Sequence, residues 1–414
     1  MRRATMLVCC FLFLPRVICA QTQNEVLERF KALEDRIKAL EAEVETLKAA
    51  QAPAPAAQAT AAAPAAPSAS AQATAPLTPS GPLPVYGGAS AAAKVLNPDV
   101  SVIGDFIGVA GHNPINPTPA LQMHESEVGL QAIIDPYARG DFFFTFGEQG
   151  VDLEEGYLTF TSLPGGFVAK VGKMRSSFGV VNTLHNHNLP WIDRPLVTQN
   201  LVGGEDGIDD AGFSINRILP APKGIFLEAT AQLLRGDSGD VFASSRGSDV
   251  STVERLRAYR DLSDSTNLDV GFSYARGHND LGSAYRTELF GTDATLRWKP
   301  LKRAIYHNFL ARTELFWSRR EQISNIQRAF GFYSSGEYRL NRRWTIGGRY
   351  DRSDRSRNAS LTDSGFSGLL TYWPSEFSQI RGQYRYTRYA EGLSGNEVLF
   401  QFIFVLGAHG AHPF

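Results

Sequence analysis

The sequence has 414 residues, a formal net charge of −1 and three cysteines. Its length allows two or three domains. All the cysteines, Cys9, Cys10 and Cys19, lie close to the amino terminus, so we expect neither disulfides nor thiol chemistry in the rest of the chain. We also expect no cofactor and no nucleic-acid partner.

Residues 1–20 have the features of a secretory signal peptide. A positively charged start precedes the apolar run "ATMLVCCFLFL", and the segment ends in "VICA". The run is too short to span a bilayer, so we expect cleavage after Ala20. An uncleaved anchor is the alternative, which Pro15 and Arg16 disfavour because they interrupt the apolar run.

Residues 21–50 carry the spacing of a coiled-coil helix. Apolar residues alternate four and three positions apart, and oppositely charged side chains flank them. The seam consists of Val26, Phe30, Leu33, Ile37, Leu40, Val44 and Leu47. The segments "RFKALE" and "RIKALE" resemble short trimeric coiled coils, so we expect three chains rather than two, with a lone solvated helix as the alternative. A coil this short is marginal alone, so it would reinforce an assembly held together elsewhere.

Residues 51–95 are rich in Ala and Pro. Such a composition favours a disordered, extended spacer of about 3.1 Å per residue where it adopts a polyproline conformation. A spacer of this kind would carry the coil away from the domain that follows.

Residues 96–414 contain no apolar run long enough for a membrane helix, and short segments of alternating polarity recur throughout. Alternation with a period of two predicts β-strands. Sixteen strands are predicted, at 100–110, 122–133, 138–147, 153–162, 166–175, 206–216, 224–235, 252–262, 267–277, 287–298, 304–318, 327–340, 343–353, 363–373, 378–389 and 396–407.

The segments between these strands alternate in length. Tight turns such as "SLPGG" and "LNRR" follow the even strands, and longer polar loops such as "GHNPINPTPA", "RGHNDLGSAYR" and "DRSDRSRNASLTD" follow most of the odd ones. Short turns on one side and long loops on the other are typical of outer-membrane barrels, whose termini lie on the short-turn, periplasmic side.

The last predicted strand places Phe400, Phe402, Phe404 and Leu406 on one face. A soluble edge strand of this kind would aggregate, whereas in lipid a sheet is viable only when it closes on itself. The predicted fold is therefore all-β: a transmembrane antiparallel β-barrel of about sixteen strands around an aqueous lumen. A soluble sandwich is the alternative. The terminal Phe414 resembles the assembly signal of bacterial outer-membrane proteins, which predicts contact with outer-membrane lipids and the barrel assembly machinery.

Arginines recur at predicted inward positions. Their planar, permanently charged guanidinium suits phosphate, sulfate and carboxylate. Acidic residues dominate 98–245 and basic residues 246–397, so one wall of the lumen is expected to be acidic and the facing wall basic. Bracing of the strands by ion pairs, without solute selection, is the alternative reading. The predicted inward set is Arg257, Arg297, Arg312, Arg339, Arg343, Arg349, Arg381 and Arg385.

The segment "VVNTLHNHNLPWIDRPLVTQNLVGGEDG" after the fifth strand is expected to fold into the lumen and narrow it. It carries His185, His187, Asp193 and Arg194. Two histidines at i, i+2 are weak evidence for a metal, so no metal is expected, and "HNH" lacks the context of a nuclease.

The stretch entering this loop resembles the phosphate-selective porin O and P family. The matching residues are Gly172, Lys173, Phe178 and Gly179, and "DGIDDAGFSI" is similar to that family's returning strand. The likeness extends loosely over 98–414. It implies that Lys173 and Arg175 lie at a constriction and that the inward arginines bind anions.

The expected function is that of a trimeric outer-membrane porin for passive diffusion of small hydrophilic, anionic, phosphate-like solutes. A structural anchor, tethering the membrane to peptidoglycan through residues 21–95, is the alternative. A barrel hydrolase is disfavoured because no Ser/His/acid set occupies neighbouring outward positions, so we expect no enzyme activity.

Overall fold

The computed structural model describes Lys31, Lys38, residues 98–148 and residues 150–407. Apart from those two lysines, the expected signal peptide, coiled coil and linker lie outside the described residues, as does Phe414. No helix within the described ranges is long and apolar enough to cross a membrane.

Sixteen antiparallel strands form one closed barrel, in which each strand pairs with its sequence neighbours and β1 pairs with β16. The predicted all-β closed barrel and its number of strands are confirmed. The strands are β1 (Asp99–His112), β2 (Leu121–Asp135), β3 (Ala138–Gly147), β4 (Gly150–Leu163), β5 (Phe167–Arg175), β6 (Asp209–Leu219), β7 (Ile225–Leu234), β8 (Ser251–Ser263), β9 (Thr266–Asn279), β10 (Gly282–Trp298), β11 (Phe309–Glu321), β12 (Ile326–Arg339), β13 (Trp344–Arg355), β14 (Asn358–Ser375), β15 (Ser378–Arg388) and β16 (Ser394–Gly407).

The outer face is apolar because side chains alternate along each strand. In β16, Phe400 and Leu406 are 44% and 58% exposed, whereas Gln401 and Ile403 are 1% and 0% exposed. Closure leaves no unpaired strand edge. The barrel therefore presents apolar side chains outward and mixed side chains inward.

Two of the loops expected on the long-loop side are instead part of the ladder. "RGHNDLGSAYR" and "DRSDRSRNASLTD" reduce to turns at 280–281 and 356–357. Their polar side chains bond across the strands: Arg355 Nε donates to Asp363 Oδ2 at 2.9 Å. The polar residues here therefore belong to strand ends that extend beyond the apolar band of the barrel. The prediction of long loops at these two places is wrong.

The connection between β10 and β11 is longer than expected and covers residues 299–308. Pro300 cannot donate a ladder hydrogen bond, and its carbonyl accepts from the Arg303 amide at 3.1 Å in a turn. The eleventh strand therefore begins at Phe309 rather than at residue 304.

Part of the lumen is packed rather than aqueous. A buried apolar core joins the segment 176–208 to inward side chains of β7–β14, and Trp191, Phe242 and Phe316 are at most 2% exposed. The expected open lumen is thus reduced to the space beside this core.

Candidate channel constriction

Residues 176–208, which we call the inner loop, leave the wall after β5 and turn into the barrel at Gly179. The φ of Gly179 is +66°, which favours glycine. Its amide donates to Ser273 Oγ on β9 at 3.1 Å. The next amides, of Val180 and Val181, donate to the Glu314 carboxylate on β11. These bonds point the loop across the lumen, away from its own strand.

The middle of the inner loop is bonded to β13 and β15. Arg381 Nη1 donates to the Leu189 carbonyl at 2.9 Å, and the Ile192 amide donates to Gln383 Oε1 at 2.8 Å. Asp193 accepts from both Arg349 and Arg385, at 3.0 and 3.1 Å. The loop therefore spans from β5 to the opposite part of the wall.

The inner loop is also cross-linked to itself. Asn182 Nδ2 donates to the Ile208 carbonyl at 3.0 Å, and the Ile208 amide donates back to Asn182 Oδ1 at 2.8 Å. Arg194 donates to the carbonyls of Val181 and Leu184, at 3.1 and 2.7 Å. Burial and the neighbouring Arg175 lower the pKa of Arg194 to about 9. Arg194 thus braces the loop from within.

A short helix, α1 (Leu196–Leu201), packs the end of the inner loop against the wall. The Leu196 amide donates to Asp351 Oδ1 at 3.3 Å, and Asn200 Nδ2 donates to Asp363 Oδ2 at 3.1 Å. Trp191 lies with its ring edge-on to Tyr333, 5.1 Å between centroids. Apolar and polar contacts together fix the position of the loop.

The histidines of the inner loop face the carboxylates of β2 and β4. His185 Nδ1 lies 2.5 Å from Glu127 Oε2 and its Nε2 lies 2.8 Å from Glu155 Oε2. His187 Nδ1 is 3.4 Å from Glu125 Oε1. Burial alone would lower the pKa of His185, but the hydrogen bond to Glu127 and the other carboxylates outweigh it and raise the pKa to about 10.

The loop leaves polar cavities on both sides of its central segment. A cavity of about 380 Å³ on the long-loop side is lined by Asp193, Arg349 and Arg385, and one of about 530 Å³ on the short-turn side by Arg339 and Arg381. A smaller space of about 170 Å³, between the loop and β1, β2, β15 and β16, shares Asp193 and Arg385 with the first cavity and borders Leu189, which also lines the second. The three spaces thus share lining residues from the long-loop side to the short-turn side, and we call them together the route past the loop.

The two walls of this route differ in charge. Buried inward carboxylates, including Asp105, Glu127 and Glu155, predominate on β1–β4, whereas on β8–β15 the inward arginines outnumber buried inward carboxylates such as Asp269 and Asp293. In the barrel order β2 is eight strands from β10, so the middle strands of the two groups lie on opposite sides of the lumen. A transverse field of this kind orients dipolar or charged solutes.

The structure places most of the expected arginines inside the barrel, and many of them pair with acids. Arg257 Nη2 lies 2.6 Å from Asp269 Oδ2, and Arg385 Nη2 lies 2.7 Å from Glu397 Oε2. Within the described ranges no carboxylate lies within ion-pair distance of Arg312, Arg339 or Arg381. The inward set is Arg257, Arg297, Arg312, Arg339, Arg349, Arg381 and Arg385.

Three expected residues lie elsewhere. Arg343 is exposed in the turn before β13, and its Nη1 is 3.4 Å from the hydroxyl of outward-facing Tyr372, because the strand begins one residue later. Lys173 is the ladder partner of Gly156 and occupies an outward-facing position of β5. Its Nζ lies 3.1 Å from Asp209 Oδ2. Arg175 is buried in the wall, bonded to Glu154 and to the Asp206 carbonyl.

The inward arginines that were missed in the sequence include Arg255 and Arg320. Arg255 Nη2 lies 2.9 Å from Asp293 Oδ1, and Arg320 pairs with Asp280. Arg255 lies two residues before Arg257 on β8, so both side chains face inward, and the alternation that predicted Arg257 also predicts Arg255. Arg320 lies beyond the expected end of β11, at residue 318, so only the true length of the strand reveals it.

No protein-family model matches the sequence, so the likeness to the phosphate-selective porins stays a prediction. An uncharacterized protein of Aquifex aeolicus (strain VF5) is 29% identical over 350 residues, covering 73% of this chain and 72% of that protein.

Solved outer-membrane proteins share the fold. OprB of Pseudomonas putida has a TM-score of 0.52 at 9% identity, covering 76% of this chain and 95% of that chain. The outer membrane channel DcaP of Acinetobacter baumannii gives 0.50 at 12% identity, with 75% and 96% covered. OmpT, an outer membrane protein of Vibrio cholerae, gives 0.51 at 9%, with 75% and 97% covered. At these identities the likeness establishes the barrel fold.

Proposed function

We propose that this protein is a porin of the bacterial outer membrane, forming a water-filled channel for passive diffusion of small hydrophilic, anionic solutes. The observation that carries the proposal is the inner loop, which crosses a closed barrel with an apolar outer face and leaves polar cavities beside it. A barrel serving only as an anchor has no need of a charged route past an internal loop. The solved outer membrane channel DcaP, which has the same fold, supports this reading.

Anion preference would arise mainly on the short-turn side. The cavity there is lined by Lys299, Arg339 and Arg381 against the single carboxylate of Glu337. Arg381 donates to the Leu189 carbonyl and to Gln401 Oε1, both at 2.9 Å, which leaves its positive charge unbalanced by a carboxylate. Arg385, by contrast, is paired with Asp193 and Glu397. The paired arginines brace the wall, and the unpaired ones attract phosphate-like anions.

The test is the reversal potential of the channel under a salt gradient, measured in a planar bilayer. Arg381→Gln removes an unpaired charge and should shift the reversal potential towards cation selectivity. Arg381→Lys is the matched control, since it keeps the charge and should leave the reversal potential near the wild-type value. Equal reversal potentials for all three proteins would contradict the role of Arg381 in selectivity.

The same proposal includes location and assembly. The apolar outer face suits outer-membrane lipid, with residues 21–50 in the periplasm and the last strand and Phe414 read by the barrel assembly machinery. A homotrimer is proposed because the coiled-coil segment resembles trimeric coils and one OmpT structure of the same fold is a trimer form. Cross-linking of the purified protein should give a trimer. Loss of the trimer on removal of residues 21–50 would show that this segment stabilises the assembly.

A further inference from the structure

One cluster inside the barrel has a composition that ion flow does not require. Glu125 and Glu127 occupy alternate inward positions of β2, and His185 and His187 occupy the facing segment of the inner loop. Ligand atoms of Glu127, His185 and His187 all lie within 4.8 Å of one another, and all three residues are buried. Two rigid elements therefore present imidazole and carboxylate groups to one point.

From this geometry we infer that Glu127, His185 and His187, with Glu125 next to His187, form a binding site for a divalent transition-metal ion such as Zn²⁺. Mixed nitrogen and oxygen donors suit Zn²⁺, Co²⁺ or Ni²⁺, whereas Mg²⁺ and Ca²⁺ favour oxygen alone. No part of the channel proposal depends on this site.

Two of the distances in the cluster are close to those of a tetrahedral ion. Bonds of about 2.0–2.1 Å place the ligand atoms of a tetrahedral zinc ion roughly 3.4 Å apart. His187 Nδ1 lies 3.4 Å from Glu125 Oε1 and 3.8 Å from Glu127 Oε2. His185 Nδ1 lies closer to Glu127 Oε2, at 2.5 Å. These two atoms would have to separate to admit an ion between them.

The surroundings provide the outer contacts that metal-bound histidines require. His185 Nε2, on the far side of the ring from Glu127, lies 2.8 Å from Glu155 Oε2. A carboxylate on the second ring nitrogen fixes the orientation of a metal-bound imidazole and increases its basicity. Glu155 also accepts the Arg175 amide at 2.8 Å, so this outer carboxylate is itself held in place.

The charge balance also favours a cation. Buried carboxylates are normally paired with cations or bound to metals. Within the described ranges, Glu125 and Glu127 have only histidines within ion-pair distance, and no lysine or arginine. A divalent ion at Nδ1 of His185 would replace the proton between that atom and Glu127, and its two charges would balance the carboxylates. An entry route exists, because His187 lines the cavity on the short-turn side.

The test is titration of the full folded chain in detergent with Co²⁺, whose ligand-field absorption reports tetrahedral coordination. We expect bands that saturate at one ion per chain and disappear when Zn²⁺ is added. His187→Gln should weaken Co²⁺ binding roughly tenfold or more, and Glu127→Gln should do the same. His112→Gln, at an exposed position at the end of β1, is the matched control and should bind Co²⁺ as the wild type does.

Folding is checked independently by the gel migration of unheated samples, because a folded barrel migrates differently from its heated form. A folded wild-type protein without saturable bands would overturn the proposal. Equal Co²⁺ affinity in folded His187→Gln would also overturn it, and the histidines would then serve only as hydrogen-bonding links from the inner loop to β2 and β4. The readout is absorbance, so it stands whether or not the protein conducts ions.

Discussion

Asp193 and Arg349 connect the inner loop to the far wall of the barrel. Asp193 Oδ2 lies 3.0 Å from Arg349 Nη2, and the same oxygen lies 3.1 Å from Arg385 Nη1. The Arg349 guanidinium also lies over the Trp191 ring, 4.9 Å from its centroid. One carboxylate of the loop therefore engages two strands, β13 and β15.

Replacing Asp193 with Ala should release the loop. The change leaves Arg349 without one partner in a buried setting, and loss of one member of a buried ion pair costs about 3–5 kcal/mol. We expect a lower free energy of unfolding by denaturant and a larger, noisier single-channel conductance. Asp237→Ala is the control, because its pair with Arg235 is exposed and exposed pairs contribute about 0–1 kcal/mol. Equal effects of the two changes would contradict this account.

The stability from Asp193 should depend on acid pH. Burial would raise the pKa of Asp193, but Arg349 and Arg385 outweigh burial and lower it from 3.8 to about 2. A lowered folded-state pKa means that the stabilisation is complete above about 3.8 and is lost as the pH falls through about 2. The difference corresponds to roughly 2 kcal/mol. Thermal unfolding across this pH window should show the loss in the wild type and a much smaller one in Asp193→Asn.

Trp191 should be the main apolar anchor of the loop. Its side chain is 0% exposed and contacts Tyr333 of β12 edge-on. Trp191→Ala should cost about 3–5 kcal/mol, as for other large buried aromatic residues, and should increase conductance as the loop loosens. Trp317→Ala is the control for loss of a tryptophan, because Trp317 is 40% exposed on the outer face. Unchanged conductance in folded Trp191→Ala would show that polar contacts alone hold the loop.

Gly179 should tolerate no side chain. An added Cβ would lie 2.7 Å from Glu314 Oε1 and 2.8 Å from Phe316 Cζ, at a φ of +66°. The left-handed backbone alone costs about 1–2 kcal/mol for alanine, and the contacts add to this. Gly368→Ala on β14 is the control, since nothing lies within 4 Å of its added Cβ. Denaturant unfolding should show a marked loss for Gly179→Ala only.

The sequence predicted the barrel well because its strands repeat one physical pattern. Alternating polarity located all sixteen strands and distinguished Phe400 from Gln401, since outward and inward environments differ sharply. Strand ends were less predictable: polar residues such as Arg355 continue the ladder above the apolar band, and Pro300 delays β11. Arg343 was misplaced for the same reason, because parity applies only inside a strand.

Individual residues of the site could be predicted from the sequence, but the contacts between them could not. Loop length and composition drew attention to His185, His187, Asp193 and Arg194, but nothing local indicates that Asp193 meets Arg349 or that His185 meets Glu127. Those contacts follow from strand register and loop path, which depend on the whole barrel. Lys173 was expected at the constriction by family likeness, and its outward ladder position follows from the pairing of β4 with β5.

The most direct measurement is the single-channel current of the purified, refolded protein in a planar bilayer, comparing the wild type with Asp193→Ala. We expect discrete current steps with an anion-selective reversal potential in the wild type, and larger steps once the loop is released. A protein that is folded and inserted but passes no current, with or without Asp193, would contradict the channel function.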